Sequence, residues 1–288
     1  MAGLGYSVLP AGRGESAVAF IIRAGTRTDE PAPGIRRDRL LTAADTRDGR
    51  IVIDRFQVAA GRDLEVAVEP GALAWLQVLS GNAALAGMEL TPDIMSRLPA
   101  PFAGVFRART SCDLLLSRVP DALRFGHARG NGAHAAKSFD WTREPVLQSM
   151  HDDRKRIYVA TRTLFGTSAL KGEIIIYPPG ATCPAHHHEG AEHYQYVVRG
   201  AGIAVIDGVQ RPLGAGDILY NLENEQHWFR NDGDEDFVFV EYFVPGTCRT
   251  VWAPGADICE WLPTGADIMG REPSRHIPRH SHGDPTPL

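Results

Sequence analysis

Short apolar segments separated by turn residues are the feature that most restricts the fold of this chain. Glycine (30) and proline (20) occur along all 288 residues, and segments rich in Val, Ile, Phe and Tyr lie between them. Turn signals such as Asp207-Gly208 separate several of these segments, as in successive hairpins. Long helical periodicity is scarce. The pattern therefore predicts an all-β fold, a sandwich or a barrel.

The apolar segments predict strands at residues 51–59, 74–79, 105–110, 114–118, 173–177, 194–198, 203–206 and 237–243. A weak internal repeat relates residues 74–87 to residues 193–208 and aligns Gly81 with Gly200. The repeat and the Gly-rich and Ala-rich stretch between the halves predict four regions. These are a first domain with an N-terminal arm (1–125), a linker (126–145), a second domain (146–270) and an extended, mobile tail (271–288).

Composition excludes several function classes. The formal net charge is −5, which argues against a nucleic-acid partner. The chain has no apolar run near the roughly 18 residues of a membrane helix and no recognisable secretory signal, so we expect a cytoplasmic protein without a membrane partner. The four cysteines form no CxxC pair, which favours reduced thiols over a disulfide framework or a zinc finger.

Histidines carry the functional signal. The chain has eleven, none within the first 126 residues, so a histidine metal site can form only in the second half. On a strand, His186 and His188 point to one face and His187 to the other. A hairpin partner can bring His193 to that face, and a later strand can add His227. Three or four neutral imidazoles suit a divalent metal: iron, manganese, nickel, copper, cobalt or zinc.

Two segments resemble the motifs of the cupin superfamily, G(x)5HxH(x)3,4E(x)6G and G(x)5PxG(x)2H(x)3N. They are PPGATCPAHHHEGAEHYQYVVRG and GVQRPLGAGDILYNLENEQHWFRN. Counting back from Gly200 places His193 where the family has glutamate, as in cupins with four histidine ligands. In the second motif, Leu222 and Asn224 replace the usual proline and glycine. The resemblance implies metal ligation by His186, His188, His193 and His227.

A second register remains open. With Glu192 as the ligand and Tyr194 nearby, the motif would resemble the cupin sulfoniopropionate lyases, although seven residues would then precede Gly200. We prefer His193. Gln195, two residues further along the strand, is expected to face the pocket. Gln195, Glu192 and Tyr194 are the candidate catalytic residues, the last two as groups that move a proton.

The resemblance extends through the repeat to a first cupin that looks degenerate. The overlay places Ala67, Glu69, Ala74 and Gly104 opposite His186, His188, His193 and His227. The sequence therefore predicts two tandem cupin (double-stranded β-helix, jelly-roll) barrels with one metal site, in the second barrel. The tail histidines His276, His280 and His282 are expected to stay outside that site.

The resemblance implies a metal-dependent oxidoreductase, a dioxygenase acting on a small enolic, diketone or phenolic acid. Iron or manganese is the expected metal, with dioxygen as co-substrate. One alternative is a redox-neutral lyase, decarboxylase or isomerase, and another is a non-enzymatic small-molecule-binding module. One fold hosts many reactions, so the alternatives stay open. Cupin resemblance also favours a homodimer through sheet edges, unless the two barrels pair within one chain.

Overall fold

The computed structural model describes residues 19–46, 48–127, 136–284 and 288. The first 18 residues of the predicted N-terminal arm, residues 128–135 of the predicted linker and residues 285–287 of the tail lie outside the described residues. Nearly all regular structure is β-strand, as predicted. Short helical turns occur at α1 (Arg162–Phe165) and in the 3-10 segments Ala122–Phe125 and Trp141–Arg143.

The first half of the chain contains strands β1 (Phe20–Ile22), β2 (Thr28–Ala32), β3 (Ile35–Leu41), β4 (Val52–Val58), β5 (Asp63–Val68), β6 (Leu73–Ser80), β7 (Ala83–Leu85), β8 (Met88–Leu90), β9 (Ile94–Leu98), β10 (Phe102–Ala108), β11 (Cys112–Val119) and β12 (Lys137–Asp140).

The second half contains strands β13 (Val146–Ser149), β14 (Lys155–Ala160), β15 (Lys171–Tyr177), β16 (His186–Glu189), β17 (Glu192–Arg199), β18 (Ala201–Ile206), β19 (Val209–Gly214), β20 (Ile218–Asn221), β21 (His227–Arg230), β22 (Phe237–Val244), β23 (Arg249–Trp252), β24 (Glu260–Pro263) and β25 (His280–Ser281).

The strands form two barrels of the same topology. One sheet of the N-terminal barrel has the order β12-β9-β6-β11-β4-β3-β2, and its second sheet has the order β5-β10-β7-β8. The C-terminal barrel repeats both arrangements as β1-β20-β17-β22-β15-β14-β13-β24-β25 and β19-β18-β21-β16-β23. Two tandem jelly rolls were predicted, and this fold class is confirmed.

Burial patterns explain which strands lie where. In β5, buried and exposed residues alternate strictly, as in a strand with one face on the core and one in water. In β22, all eight residues are buried, because one face lines the C-terminal barrel and the other packs on the N-terminal barrel. A strand buried on both faces reads as a continuous apolar run.

The barrels exchange edge strands. Strand β1, from the start of the chain, pairs with β20 of the C-terminal barrel, with Phe20 opposite Tyr220. Strand β12 pairs with β9 of the N-terminal barrel, with Lys137 opposite Arg97. The structure thus differs from the predicted regions: residues 137–140, expected to be linker, complete the first barrel, and residues 20–22 belong to the second.

A shared apolar core joins the two large sheets face to face. Trp75 of the first barrel packs on Tyr242 of the second, with ring centroids 4.8 Å apart. Tyr194 reaches across as well, and its hydroxyl donates to Ser117 Oγ at 3.2 Å. The two barrels of one chain therefore pack directly on each other.

Strand register corrects the predicted overlay of the barrels. In the second barrel, His186 pairs with His227 across β16 and β21. The overlay aligned Gly104 of the first barrel with His227 of the second. In the first barrel, Gly104 on β10 pairs with Val66 on β5. Val66, not Ala67, therefore takes the place of His186.

The same shift applies along the rest of β5. Val68, not Glu69, takes the place of His188, and both valines are buried. A shift of one residue exchanges the two faces of a strand, so the overlay had selected the outward face. Ala74, expected opposite His193, does face the interior, which is filled by apolar side chains such as Phe106.

The tail also differs from expectation. Residues 276–284, expected to be mobile and solvated, fold back on the second barrel, where β25 pairs with β24. His280 and His282 are 4% and 5% exposed. Their burial was missed because a proline-rich composition predicts extension but not where an extended segment docks.

Replacing Trp75 with alanine should lower the free energy of unfolding by about 3–5 kcal/mol, because it opens a cavity in the core that both barrels share. Urea denaturation followed by far-UV circular dichroism measures the loss. Val209→Ala, at a residue 54% exposed, is the control and should change stability little. A loss below about 1 kcal/mol for Trp75→Ala would contradict the described packing.

Candidate metal centre

Three strands bring four histidines together inside the second barrel. His186 and His188 lie on one face of β16, and His227 on β21 pairs with His186. His193 lies on β17, paired with Phe243 of β22. His188, His193 and His227 are at most 2% exposed. The side chains thus alternate along β16 as the sequence predicted, with His186 and His188 on the same face.

Each of the four rings lies beside at least two of the others. Ring centroids lie 4.6 Å apart for His186 and His227, and 4.8 Å apart for His188 and His193. One nitrogen from each of His186, His188 and His227 lies within 4.8 Å of the others. His193 Nε2 is 3.2 Å from His227 Nε2.

Hydrogen bonds fix which nitrogen each ring presents. The Nδ1–H groups of His186 and His227 donate to the carbonyls of Pro184 and Glu225, each at 2.8 Å. A carbonyl can only accept, so a neutral ring held in this way carries its proton on Nδ1 and its lone pair on Nε2. This tautomer is the one that metal-ligating histidines adopt when the outer nitrogen is hydrogen-bonded.

Burial keeps these rings neutral. Burial, and then the neighbouring rings, hold the pKa of His186, His188 and His193 well below the usual range. Burial lowers the pKa of His227 to about 4. Neutral imidazoles have the free lone pair that a metal needs.

One contact in the cluster depends on what lies between two ring nitrogens. With lone pairs on both nitrogens, the 3.2 Å approach of His193 Nε2 to His227 Nε2 is repulsive unless a proton or a cation lies between them. Within the described part of the chain, His193 Nδ1 is buried without a hydrogen-bond partner. The donor set therefore fits a divalent cation held by imidazole nitrogens.

Gln195 faces the same interior, as expected. Its Nε2 donates to Glu241 Oε1, and its own Oε1 accepts from Asn221 Nδ2 at 2.8 Å. Glu241 Oε1 in turn lies 3.4 Å from His193 Nε2. Gln195 thus connects Asn221 to a carboxyl group beside the histidines.

Glu192 and Tyr194 do not join the site. They alternate with His193 along β17 and therefore point to the opposite face, toward the first barrel. Glu192 accepts from the Tyr220 hydroxyl and lies 3.4 Å from Arg50 Nε. The structure thus corrects their assignment as groups that move a proton, and it leaves Glu192 out of reach as a ligand.

A buried group of charges next to the histidines was not predicted. Burial, and then the charge of Glu173, raise the pKa of Glu241. Glu173 is different: although burial opposes ionisation, the nearby Arg156, His282 and Lys171 hold its pKa below the usual range. One sequence feature could have indicated this group: Glu241 is the single charged residue in the apolar strand FVFVEYFV, and a buried charge needs a partner.

A small cavity of about 30 Å³ lies beside the histidines and has room for one or two water molecules. Its polar walls are provided by Arg154, Arg156, His186, Glu241, Thr250 and His282. Two guanidinium groups in so small a space favour an anionic occupant. His282 in this wall corrects the expectation that the tail histidines stay out of the site.

The turn before His227 explains one departure from the motif. Asn224 stands where the family usually has glycine, and its φ is 70°. Asparagine is among the residues that tolerate this left-handed region, so the turn keeps its shape without glycine. The backbone N–H of Asn224 donates to the backbone carbonyl of His188 at 2.9 Å, and this hydrogen bond joins the two motifs.

Comparison with known proteins agrees with this fold. The family model of the cupin domain matches residues 173–244. The oxalate-binding protein of Thermotoga maritima is 31% identical over 67 residues, 23% of this chain and 55% of that protein. Oxalate decarboxylase OxdC of Bacillus subtilis is 24% identical over 178 residues, 59% of this chain and 43% of that protein. The chain thus spans about half the length of these curated relatives.

Solved structures show the same architecture. A variant of Bacillus subtilis OxdC superposes with a TM-score of 0.63 at 16% identity, covering 84% of this chain and 80% of that one. Protein Ylba of E. coli superposes with a TM-score of 0.62 at 15% identity, covering 82% and 95%. Residues 173–244 thus match the cupin domain, and the chain as a whole has the fold of two jelly-roll barrels in tandem that these solved structures share.

Among the residues that the structure describes, no helix has the length and apolar character needed to cross a membrane.

Acid should destabilise the metal-free protein through these histidines. Their pKa values are depressed in the folded state, so their contribution is present above the unfolded pKa of about 6.5 and is lost as pH falls toward the folded values. Each such histidine removes about 1.4 kcal/mol per pH unit in this window.

Urea denaturation of chelator-treated protein between pH 7 and 4 measures this loss. The free energy of unfolding should fall less steeply for His227→Gln than for the wild type. Equal slopes for the two proteins would show that His227 is not held neutral.

Proposed function

We propose that the chain is a metal-dependent cupin enzyme in which His186, His188, His193 and His227 hold one divalent metal. The observation that carries the proposal is the convergence of their rings, with Nδ1 of His186 and His227 bonded to backbone carbonyls and Nε2 left free. The N-terminal barrel supports it by contrast. The same fold closes there over apolar side chains, so the histidines are not needed to build a barrel.

We further propose a redox-neutral reaction, the decarboxylation of a small carboxylic acid. The comparisons fit this alternative better than the dioxygenase first expected, because OxdC is by name an oxalate decarboxylase and the Thermotoga relative an oxalate-binding protein. The two arginines that line the cavity also favour an anionic substrate. Manganese and iron remain the expected metals.

Each group has a role in this proposal. Arg156 lines the cavity and would attract the carboxylate of the substrate. A divalent metal, when bound, supplies a Lewis acid that polarises a carbonyl or carboxylate oxygen of the substrate. The apolar walls around the cavity, such as Phe229 and Phe239, keep bulk water away.

Glu241 is the proposed proton donor. Its raised pKa keeps the carboxyl group protonated near neutral pH, and Gln195 holds its Oε1. When the carbon–carbon bond to the carboxylate breaks, carbon dioxide leaves and the electron pair stays on the remaining carbon. Glu241 gives its proton to that carbon and regains one from water, so one proton is consumed for each carbon dioxide released.

Metal content tests the first part of the proposal. Protein purified without added metal should contain about one manganese or iron per chain by plasma mass spectrometry. His186→Gln and His227→Gln should lose most of it, whereas His151→Gln, at an exposed histidine, should keep it. Equal metal content in all four proteins would contradict the assigned ligands.

Turnover tests the second part. With oxalate and small 2-oxo acids, the loaded enzyme should release carbon dioxide without matching oxygen uptake at an oxygen electrode. Glu241→Gln should keep its metal and lose activity by about 10²–10⁴-fold, because the proton donor is gone. Glu235→Gln, at an exposed carboxylate, is the control.

Other outcomes of this assay decide between the alternatives. Oxygen uptake equal to substrate consumption would restore the dioxygenase. Saturable oxalate binding without product would favour a binding protein.

A further inference from the structure

The C-terminal segment reaches back to the histidine cluster. His282 follows β25, and its ring centroid lies 5.3 Å from that of His188 and 5.2 Å from that of Phe243. It is 5% exposed. His282 therefore packs against the proposed ligand His188, which lies 94 positions earlier in the sequence.

A chain of hydrogen bonds connects the two histidines. Thr250 Oγ1, on β23, lies 3.1 Å from His188 Nδ1 and 2.8 Å from His282 Nδ1. On its other side, His282 Nε2 lies 3.2 Å from Glu173 Oε1 and 2.5 Å from Lys171 Nζ. Among the described residues, Thr250 takes at His188 Nδ1 the place that a backbone carbonyl has at His186 and His227.

Two proton arrangements satisfy this chain. In the first, His188 donates from Nδ1 to Thr250, Thr250 donates to His282 Nδ1, and His282 donates from Nε2 to Glu173. The ammonium group of Lys171 cannot accept a hydrogen bond, so in this arrangement it must turn away from His282 Nε2. In the second, Lys171 donates to His282 Nε2, His282 donates to Thr250, and Thr250 donates to His188 Nδ1. Because Thr250 has one hydrogen to give, the two arrangements exclude each other.

Only the first arrangement leaves His188 Nε2 with a free lone pair. In the second, a neutral His188 carries its proton on Nε2, which then cannot bind a metal. We propose that Thr250 and His282 are positioning residues that select the metal-binding tautomer of His188, which makes the C-terminal segment part of the metal centre. This inference rests on the proposed metal site.

Cobalt(II) binding tests the inference on the full chain. Competition with a chromophoric chelator gives the affinity, and the visible bands of bound cobalt report the ligand geometry. Thr250→Val removes the hydroxyl at nearly constant shape, and His282→Gln keeps a polar group near Nε2 while losing Nδ1. Both should weaken cobalt binding by about 10–100-fold and shift the bands.

Two variants separate positioning from packing. Thr250→Ser keeps the hydroxyl and should bind cobalt within about twofold of the wild type. His280→Gln changes the same segment at a ring that bonds to the Tyr158 hydroxyl at 2.8 Å instead of Thr250, and it should also bind normally. Thermal melting of the metal-free proteins identifies any variant that fails to fold.

The outcomes are distinguishable. If the wild type binds no cobalt, the proposed metal site is wrong. If the wild type binds but Thr250→Val and His282→Gln bind equally well, the metal site stands and the inference is wrong. Failure of Thr250→Ser to bind, or equal weakening by His280→Gln, would also overturn it, because the effect would then come from packing.

Discussion

Alternation of side chains along one buried strand, β17, is the constraint on which the rest of the structure depends. Odd-numbered residues such as His193 and Gln195 enter the barrel, and even-numbered residues such as Tyr194 pack on the neighbouring barrel. A strand cannot shift by one residue without exchanging these sets, since polar rings would then enter the shared core. The contact between barrels thus fixes the register of the strand that supplies a proposed ligand.

Comparison of the two barrels separates folding from function. Both have the same strand order, yet one interior is apolar and the other holds imidazoles, carboxyl groups and guanidinium groups. Burying so many polar groups is costly unless each is paired. Several of these groups are paired here: Glu173 lies next to Arg156 and His282, and Gln195 donates to Glu241. At the close approach of His193 Nε2 to His227 Nε2, either a proton or a cation must lie between the two nitrogens.

Local patterns were enough to predict the all-β fold and the meeting of the histidines, because both depend on alternation and turn residues. The two jelly rolls followed from the resemblance to the cupin motifs. Most of the predictions that were wrong concern contacts between residues far apart in the sequence. Glu192 is adjacent to His193 on one strand, so its side chain must point to the opposite face. This alternation was not applied to Glu192, because the motif drew attention to its position in the sequence. The docking of His282 and the pairing of residues 137–140 with β9 leave no local signal, because edge pairing is chosen by the partner strand.

The most direct test of the account is the position of the metal itself. Crystals of metal-loaded protein should give one anomalous-difference peak per chain at the metal absorption edge, within about 2.0–2.3 Å of Nε2 of His186, His188, His193 and His227. A peak elsewhere on the chain, or none in protein shown to be saturated with metal in solution, would contradict the central claim.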